Sequence, residues 1–370
     1  MLQQDIDENI GPLSSVNTEE FFDEKIFNQE LEKIFLKRPL PLAALSQLKN
    51  DGDFVSKTLL GRPLLIVRES QNYRVFLNVC RHRGAKLIAA EQSGQCRGIQ
   101  CPYHGWTYDL TGQLKRIPEE TRGFAGLDKK TLGLREIKSF SKAGFLWVCF
   151  DDHFELSSDS TRFFQGISEE LDEHHFENYT FLDCKVFERN FNWKVGAHAF
   201  LEGYHFATAH QKSAARYYIP NRFLLDIFEE NFRFVLPRYP LDELLQTPDL
   251  SLGELVKHIT ILYAIFPNTF LFWLHDHLTT IHFFPITAQK TRVECYVLLR
   301  HAPKSKEEAE YFELNKNMFY KISEEDLQIG EGIQEGFASR ANERFILGTF
   351  ENCIERFQNL MAKIKEKKTE

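Results

Sequence analysis

The sequence predicts an α+β protein in which a small all-β domain precedes a larger mixed domain. Short segments typical of strands are concentrated between residues 54 and 150. Three more strand patterns follow one another between residues 268 and 300, and helical patterns occupy both ends of the chain. A chain of 370 residues is long enough for two domains.

These patterns divide the chain into three segments. We predict an N-terminal helical arm at 1–40 that packs on the larger domain, the all-β domain at 41–150, and the larger domain at 151–370. Within the arm, residues 19–36 predict an amphipathic helix because apolar side chains recur every three or four positions. The two prolines of the following Lys-Arg-Pro-Leu-Pro stretch end that helix.

The all-β domain is predicted from four consecutive signals. Residues 62–69 and 73–79 are apolar strands joined by a polar turn, and residues 105–114 have the pattern of a hairpin. Residues 144–150, Gly-Phe-Leu-Trp-Val-Cys-Phe, predict a buried strand. The acidic stretch that follows is expected to be the junction between the domains.

The larger domain begins with a predicted strand at 181–194 and a predicted helix at 194–210. Three strands separated by tight turns follow, at 268–274, 278–286 and 291–300. From residue 304 onward the chain is charged and helical.

Composition excludes several classes of protein. The net charge of −8 and the lack of a basic stripe argue against a nucleic-acid partner. The polar, acidic N-terminus does not resemble a signal peptide, and no apolar run is long enough to span a membrane. Seven cysteines in such a chain indicate reduced thiols or metal ligands rather than disulfides. We therefore expect a cytoplasmic protein with no membrane partner.

The first candidate metal site consists of two short clips, Cys80-x-His82 and Cys101-x-x-His104. Cys and His at close spacing bind zinc or iron, and zinc is the first candidate. A structural zinc site, however, usually places two cysteines in one clip, whereas each clip here supplies one Cys and one His. A [2Fe–2S] cluster with two Cys on one iron and two His on the other requires this mixed supply. Cys96 is interpreted as a bystander in the intervening loop.

The second candidate site lies in the Asn-Trp-Lys-Val-Gly-Ala-His-Ala-Phe-Leu-Glu-Gly-Tyr-His segment and the residues after it. On a helix, Glu202 and His205 share a face, and His210 is reachable if the helix loosens at Thr208. Two histidines and one carboxylate form the facial triad of non-haem Fe(II) oxygenases. His198 is interpreted first as a packed core residue; lining the iron cavity and adding a hydrogen bond are the alternatives.

The two motifs together resemble the Rieske non-haem iron oxygenases, in particular the large, alpha-type terminal oxygenase subunits. The signatures that carry the likeness are "CRHRGA", "CPYHGW" and the acidic-x-x-His-x4-His motif after Asn-Trp-Lys. The resemblance implies a small all-β Rieske [2Fe–2S] domain and a helix-grip catalytic domain with a curved antiparallel sheet over helices. It implies that His205 and His210 are iron ligands and that Glu202 is a bridging carboxylate next to them. The segment around "ISEEDLQ" resembles the family's third ligand region, with Asp326 in the ligand's place and Glu325 as the second choice.

The resemblance also implies an activity. A partner reductase with flavin, or a ferredoxin, would supply electrons, so that NAD(P)H takes part only indirectly, and the Fe(II) would activate O2 to oxygenate a small organic substrate. The abundance of aromatic residues suits an aromatic substrate, as in ring-hydroxylating dioxygenases, or a quaternary ammonium group, as in the carnitine- and betaine-type monooxygenases. The family further implies a homotrimer. Two alternatives stay open: a Rieske electron-transfer protein without oxygenase chemistry, and a zinc-stabilised ligand-binding module.

Overall fold

The computed structural model describes residues 14–219, 221–244 and 251–366. The first 13 residues of the predicted arm lie outside this range. The chain forms two compact units. The smaller unit comprises Lys37–Phe163 and Glu170–Phe181, and the larger unit comprises Met1–Leu36, Phe164–Glu169 and Leu182–Glu370. None of the helices in the described ranges has both the length and the hydrophobicity needed to cross a membrane.

The bounds of the elements are as follows. The described strands are β1 Ser14–Asn17, β2 Leu40–Ala44, β3 Asp53–Leu59, β4 Arg62–Glu69, β5 Asn72–Leu77, β6 Ser93–Gln95, β7 Ile99–Gln100, β8 Thr107–Tyr108, β9 Leu114–Arg116, β10 Lys138–Lys142, β11 Phe145–Cys149, β12 Thr180–Arg189, β13 Leu224–Phe228, β14 Asn231–Pro237, β15 Ile259–Ile265, β16 Thr269–Leu274, β17 His277–Thr287, β18 Lys290–Leu299 and β19 Arg344–Leu347. The described α-helices are α1 Glu24–Glu30, α2 Glu120–Gly123, α3 Ser158–Phe163, α4 Ser168–Glu173, α5 Trp193–Ala199, α6 Phe206–Ala209, α7 Leu241–Leu244, α8 Leu252–Leu255, α9 Lys306–Ala338 and α10 Asn352–Glu366.

The smaller unit is built from three antiparallel sheets, with strand orders β10-β11-β2, β5-β4-β3-β6 and β7-β8-β9. The strands predicted at 62–69, 73–79 and 144–150 are confirmed, and the predicted hairpin corresponds to the pairing of β8 with β9. Phe76, Trp106 and Tyr108 form part of the buried core of this unit. Cys80 and Cys101 belong to the same cluster, so the predicted ligand sulfurs lie inside the unit rather than on its surface.

The larger unit contains a seven-stranded antiparallel sheet of order β12-β18-β17-β16-β15-β14-β13. The three strands predicted between residues 268 and 300 are confirmed, because they correspond to the adjacent strands β16, β17 and β18 of this sheet. Strand β17 is buried from His277 to Pro285, and helix α5 packs against it. The long helix α9 begins at Ser305, whose hydroxyl accepts a hydrogen bond from the Glu308 amide, and it packs against α5 and β18.

Two helix predictions need correction. The helix predicted at 19–36 is divided into a 3-10 turn at Thr18–Phe21, the helix α1 and a π-helical segment at Leu31–Phe35. The single helix predicted at 194–210 is wrong, since α5 ends at Ala199 and α6 begins at Phe206. The break arises where side chains compete for backbone amides, and it determines the geometry of the second site.

A buried ion pair anchors α5 in the larger unit. The side chains of Lys194 and Glu30 are both fully buried and in direct contact. Glu30 also accepts a hydrogen bond of 3.0 Å from the Trp193 indole nitrogen, while Lys194 donates to the carbonyl of Glu20. Because every polar atom of a buried pair needs a partner, these contacts make the burial of two charges tolerable. They hold the helix that leads into the second site against the N-terminal segment.

Candidate functional site

The two clips in the smaller unit are loops with the same backbone pattern. The amide of Gly84 donates to the carbonyl of Cys80 at 3.0 Å, and the amide of Gly105 donates to the carbonyl of Cys101 at 3.1 Å. Each cysteine amide in turn donates to the carbonyl five residues further on, at 2.8 Å in both loops. Both glycines have positive φ values, 76° and 71°, which a residue with a side chain rarely adopts. The sequence therefore builds two matching tight loops, each with one Cys and one His.

The four predicted ligands of these loops lie together. The rings of His82 and His104 are 4.7 Å apart, and His82 stacks on Trp106 at 4.8 Å. Burial raises the pKa of the Cys80 thiol, whose sulfur lies 3.3 Å from the Tyr108 hydroxyl. The Nδ1 atom of His82 is buried without any hydrogen-bond partner among the described residues. A buried imidazole nitrogen without a hydrogen-bond partner, next to buried thiols, provides the nitrogen and sulfur donors that a bound metal group requires.

The distances between the donor atoms decide between zinc and a two-iron cluster, the two possibilities proposed from the sequence. Among the described residues, only His205, His210 and Asp326 place three or more such ligand atoms within 4.8 Å of one another. The clip residues therefore do not converge on one point, as tetrahedral zinc with ligand bonds of about 2.0–2.3 Å would demand. A two-iron cluster is wider than a single ion, and it fits the separated donors. The zinc interpretation is not supported.

The predicted residues of the second site also come together, in the larger unit. Asp326 Oδ1 lies 2.9 Å from His210 Nε2 and 3.5 Å from His205 Nε2. Both Nε2 atoms are buried without a hydrogen-bond partner of suitable geometry among the described residues. Three ligand atoms from two histidines and one carboxylate thus converge on one point, and this is the donor set of a facial triad. The residues present fit a mononuclear Fe(II).

The other nitrogen of each imidazole is held by a carboxylate. His205 Nδ1 bonds to Glu202, and His210 Nδ1 bonds to Glu325 at 2.8 Å. Burial opposes protonation of His210, but Asp326 and Glu325 outweigh it, so the pKa of His210 is raised. The resulting carboxylate–histidine–metal arrangement fixes the ring orientation and makes Nε2 the free donor. Asp326, the first choice from the sequence, therefore supplies the third of the converging donor atoms, while Glu325, the second choice, contacts His210 Nδ1 instead.

The break between α5 and α6 creates this geometry. The Glu202 carboxylate accepts hydrogen bonds from the backbone amides of Tyr204 and His205, so it holds the turn between the two helices. His205 and His210 are the two capping residues of the four-residue helix α6. The loosening of the chain predicted at Thr208 is therefore wrong in position, because the break lies at 200–205. Glu202 and His205 do make contact, but through this turn and not along a helix face.

A large pocket of the larger unit opens onto the second site. It has a volume of about 490 Å³, and His210 and Asp326 form part of its wall. Nine aromatic side chains line it, among them Phe200, Phe206 and Phe272. Arg238 and His277 also line this pocket. The sequence does not indicate a function for either residue, because no local spacing connects them to the two motifs. His277 lies where the sequence predicts a turn between two strands.

His198 is partly buried and packs among aromatic side chains, in keeping with the first interpretation. Its ring contacts Phe21, Phe345 and Phe357, and burial lowers its pKa to about 3. It also accepts a hydrogen bond of 3.0 Å from the Gln358 amide and lines a second cavity beside Glu202 and His205. His198 is therefore a neutral, packed residue that also lines this second cavity. Cys96 lies outside the clips, as expected, and its amide bonds to Gly52.

Fold and sites together define an iron–sulfur protein with a separate mononuclear metal centre on a helix-covered antiparallel sheet. Two families match the chain: the ring hydroxylating alpha subunit (catalytic domain) at residues 176–366 and the Rieske [2Fe-2S] domain at residues 38–140. The chain belongs to the ring-hydroxylating alpha subunits, the large subunits of Rieske non-haem iron oxygenases. It is thus an oxidoreductase with a [2Fe–2S] cluster, an Fe(II) site and O2 as co-substrate.

Similar proteins include two kinds of oxygenase. The carnitine monooxygenase oxygenase subunit of Acinetobacter baumannii is 25% identical over 355 residues, which cover 91% of each chain. The large oxygenase component of the naphthalene 1,2-dioxygenase system of Pseudomonas aeruginosa is 39% identical over 133 residues, which cover 35% of this chain and 29% of that relative. Less than two thirds of the latter protein is therefore matched.

Solved structures share the fold over nearly the whole chain. A quaternary ammonium Rieske monooxygenase in complex with L-carnitine has a TM-score of 0.81 at 22% identity, covering 98% of both chains. Naphthalene 1,2-dioxygenase with indole bound has a TM-score of 0.75 at 20% identity, covering 95% of this chain and 92% of the other. The predicted combination of a Rieske domain with a helix-grip catalytic domain is confirmed by this likeness.

Proposed function

We propose that this chain is a terminal oxygenase that receives electrons from a partner flavin reductase or ferredoxin and hydroxylates a small organic substrate, either aromatic or quaternary-ammonium. The observation that carries the proposal is the aromatic pocket whose wall contains His210 and Asp326. A protein that only transferred electrons would need neither a three-donor centre nor a cavity beside it. Bound iron and cluster would supply O2 activation and one-electron transfer, respectively.

The chain's own residues have separate tasks in this proposal. Cys80, Cys101, His82 and His104 hold the cluster, while His205, His210 and Asp326 hold the Fe(II). Glu202 and Glu325 keep the Nδ1 atoms of the two imidazoles occupied, so that each Nε2 faces the iron position. The aromatic walls of the pocket exclude water and position an apolar or cationic substrate group.

We further propose a homotrimer in which Glu202 connects the two kinds of site across an interface between copies. His104 and its neighbour Tyr103 are exposed in the smaller unit, and 59% of Tyr103 is accessible. Head-to-tail contacts of one surface with a different surface close into rings. The segment assignment of the sequence, with the arm at 1–40, the cluster domain at 41–150 and the iron domain at 151–370, remains part of this proposal. So does a cytoplasmic location, which is supported by the finding that none of the seven cysteines, all within the described residues, forms a disulfide bond.

Iron content with the visible spectrum tests the proposed function. The oxygenase is expected to contain about three iron atoms per chain, two in the cluster and one at the second site, whereas an electron carrier would contain about two. Cys80→Ala is expected to abolish the red-brown cluster absorption, since only thiolates hold one of the two irons. His205→Ala is expected to keep the cluster spectrum and to lose one iron and all oxygenation. A wild-type protein with only two irons would favour the electron carrier and contradict the proposal.

A further inference from the structure

The substrate pocket of the larger unit is elongated along α9. Pocket-lining residues recur on that helix at every third or fourth position from Tyr311 to Asp326, which places them on one face. At 1.5 Å per residue, the Cα atoms of Tyr311 and Asp326 are about 22 Å apart along the axis. Asp326 marks the metal end of the pocket. Tyr311, which is 46% exposed, marks the opposite, solvent-accessible end.

The exposed end of the pocket is polar and contains an arginine. Arg238 follows β14 directly, and its amide bonds to the His258 carbonyl, next to the start of β15. His277 begins β17 at the same end of the sheet. The strand pairing shows this: Pro237 at the end of β14 pairs with Ile259, the next residue Thr260 pairs with Leu274, and Leu274 pairs with His277. The other acidic and basic residues that line this pocket are His277 and, near the metal position, Glu202, His210 and Asp326.

Two of the polar groups at this end are already occupied. Asp276 accepts a hydrogen bond from the Tyr311 hydroxyl at 2.9 Å and contacts His277 Nδ1 at 2.6 Å. Burial and the Asp276 charge raise the pKa of Tyr311 to about 12, against the opposing influence of the nearby Arg238 guanidinium. The acid that could neutralise a cation here is thus engaged with two other side chains.

Among the side chains that the structure describes, none forms a hydrogen bond or an ion pair with the Arg238 guanidinium. Arg233, five positions earlier on β14, provides the contrast, because it pairs with Asp226 at 2.6 Å. Arginine is the side chain best suited to hold a carboxylate, with up to two parallel N–H···O bonds. A half-buried arginine without a partner, in the wall of a pocket lined by aromatic rings, is therefore placed to meet an anionic ligand.

We propose that the substrate carries a carboxylate, which binds Arg238 at the open end of the pocket while the apolar or cationic part of the substrate extends toward His210 and Asp326. This inference rests on the proposed function and narrows it to acids. The carboxylate and the oxidised carbon lie at opposite ends of an extended molecule, since the pocket follows α9 over about four turns. Neutral analogues of the same shape lose the contact and leave the guanidinium without a partner.

Binding to the iron-loaded protein, measured by calorimetry without O2 or reductant, tests this inference. The probes are phenylbutyrate, phenyloctanoate and γ-butyrobetaine, each beside its primary amide. At least one acid is expected to bind roughly 10- to 100-fold more tightly than its amide, as charge-assisted hydrogen bonds imply. Arg238→Met is expected to remove this preference, and Arg238→Lys to retain part of it.

Arg300→Met is the matched control, because Arg300 is an exposed arginine beside the Asp276 turn but does not line the pocket. It is expected to leave the preference for acids unchanged. Unfolding temperature and cluster absorption establish that each variant is folded. The inference is overturned if no acid binds better than its amide, or if Arg300→Met and Arg238→Met weaken binding equally. A separate turnover assay with O2 and reductant distinguishes the two failures. Acid binding without any oxygenated product would refute the proposed function alone, and oxygenation of neutral compounds without acid preference would refute this inference alone.

Discussion

Replacing Glu30 by Gln tests how firmly the second site is anchored in the fold. The Glu30 side chain is fully buried, contacts the fully buried Lys194 and accepts a hydrogen bond from Trp193. Glutamine keeps the shape and the capacity to accept from the indole, but it removes the negative charge. The substitution therefore leaves the buried Lys194 ammonium with the Glu20 carbonyl as its hydrogen-bond partner and the Glu20 carboxylate 3.8 Å away.

The expected cost follows from this burial. Removing one partner of a buried ion pair destabilises a protein by about 3–5 kcal/mol. For a folding unit of the size of the larger unit, each kcal/mol corresponds to about 2–4 °C in melting temperature, so Glu30→Gln should lower it by roughly 6–20 °C. Glu20→Gln is the control, because Glu20 is 27% exposed and its pair with Lys365 should contribute about 1 kcal/mol or less.

Calorimetric unfolding and a double-mutant cycle provide the measurement. Adding Lys194→Met to Glu30→Gln should restore a large part of the lost stability, because the uncompensated charge is then gone. Burial already lowers the pKa of Lys194 below its unfolded value of 10.5, despite the opposing effect of Glu30. Between the folded and unfolded pKa values the unfolded chain binds more protons, so stability rises with pH, and the deficit of Glu30→Gln should shrink as pH is raised toward 10.5. A melting temperature lowered no more than by Glu20→Gln, or a double variant less stable than Glu30→Gln alone, would refute the reasoning.

Three further predictions concern the sites and their frame. Asp326→Asn should lose the mononuclear iron, measured by metal analysis, while Glu325→Gln should weaken iron binding about 10- to 100-fold because it only supports a ligand; equal losses would contradict the assigned roles. Mixed oligomers of His104→Ala and His205→Ala chains should regain partial turnover if the two sites cooperate between copies, and inactive mixtures with both metals present would place the electron path within one chain. Gly196→Val should lower the unfolding free energy by at least about 1–3 kcal/mol, since even a Cβ atom at this position would lie 2.3 Å from a buried aromatic ring; unchanged stability would contradict that packing.

The clips were predictable because their information is local. Cys80 and His82, or Cys101 and His104, lie on one tight loop each, and the glycine that such a loop needs stands beside them in the sequence. Apolar strand patterns likewise predicted β4, β5 and β11 of the smaller unit and β16, β17 and β18 of the larger unit, but not the strands β13 to β15 that complete the large sheet. The clip spacing does not specify how far apart the four donors lie, and that separation favours a two-iron cluster over a single zinc ion.

The second site was only partly predictable because long-range contacts complete it. Spacing alone assigned Glu202 and His205 to a helix face, yet the Glu202 carboxylate accepts hydrogen bonds from backbone amides and holds a turn between two helices. The role of Glu325 depends on a contact with His210 across 115 positions of sequence. Strand register places Arg238 and His277 in the wall of the pocket, because it brings together positions that no sequence motif connects.

The adjacency of Glu325 and Asp326 has a geometric reason. Successive residues of an α-helix point about 100° apart, so two neighbouring carboxylates on α9 diverge and can reach opposite sides of one ring. His210 occupies that place, with Nδ1 2.8 Å from Glu325 and Nε2 2.9 Å from Asp326. A single helix thus supplies both the third donor and the group that orients a second donor, whereas His205 is oriented by Glu202 from its own turn. Any rotation of α9 would disturb both contacts of His210 together, which makes the packing of this helix against α5 and β18 a requirement for the metal site as well as for the fold.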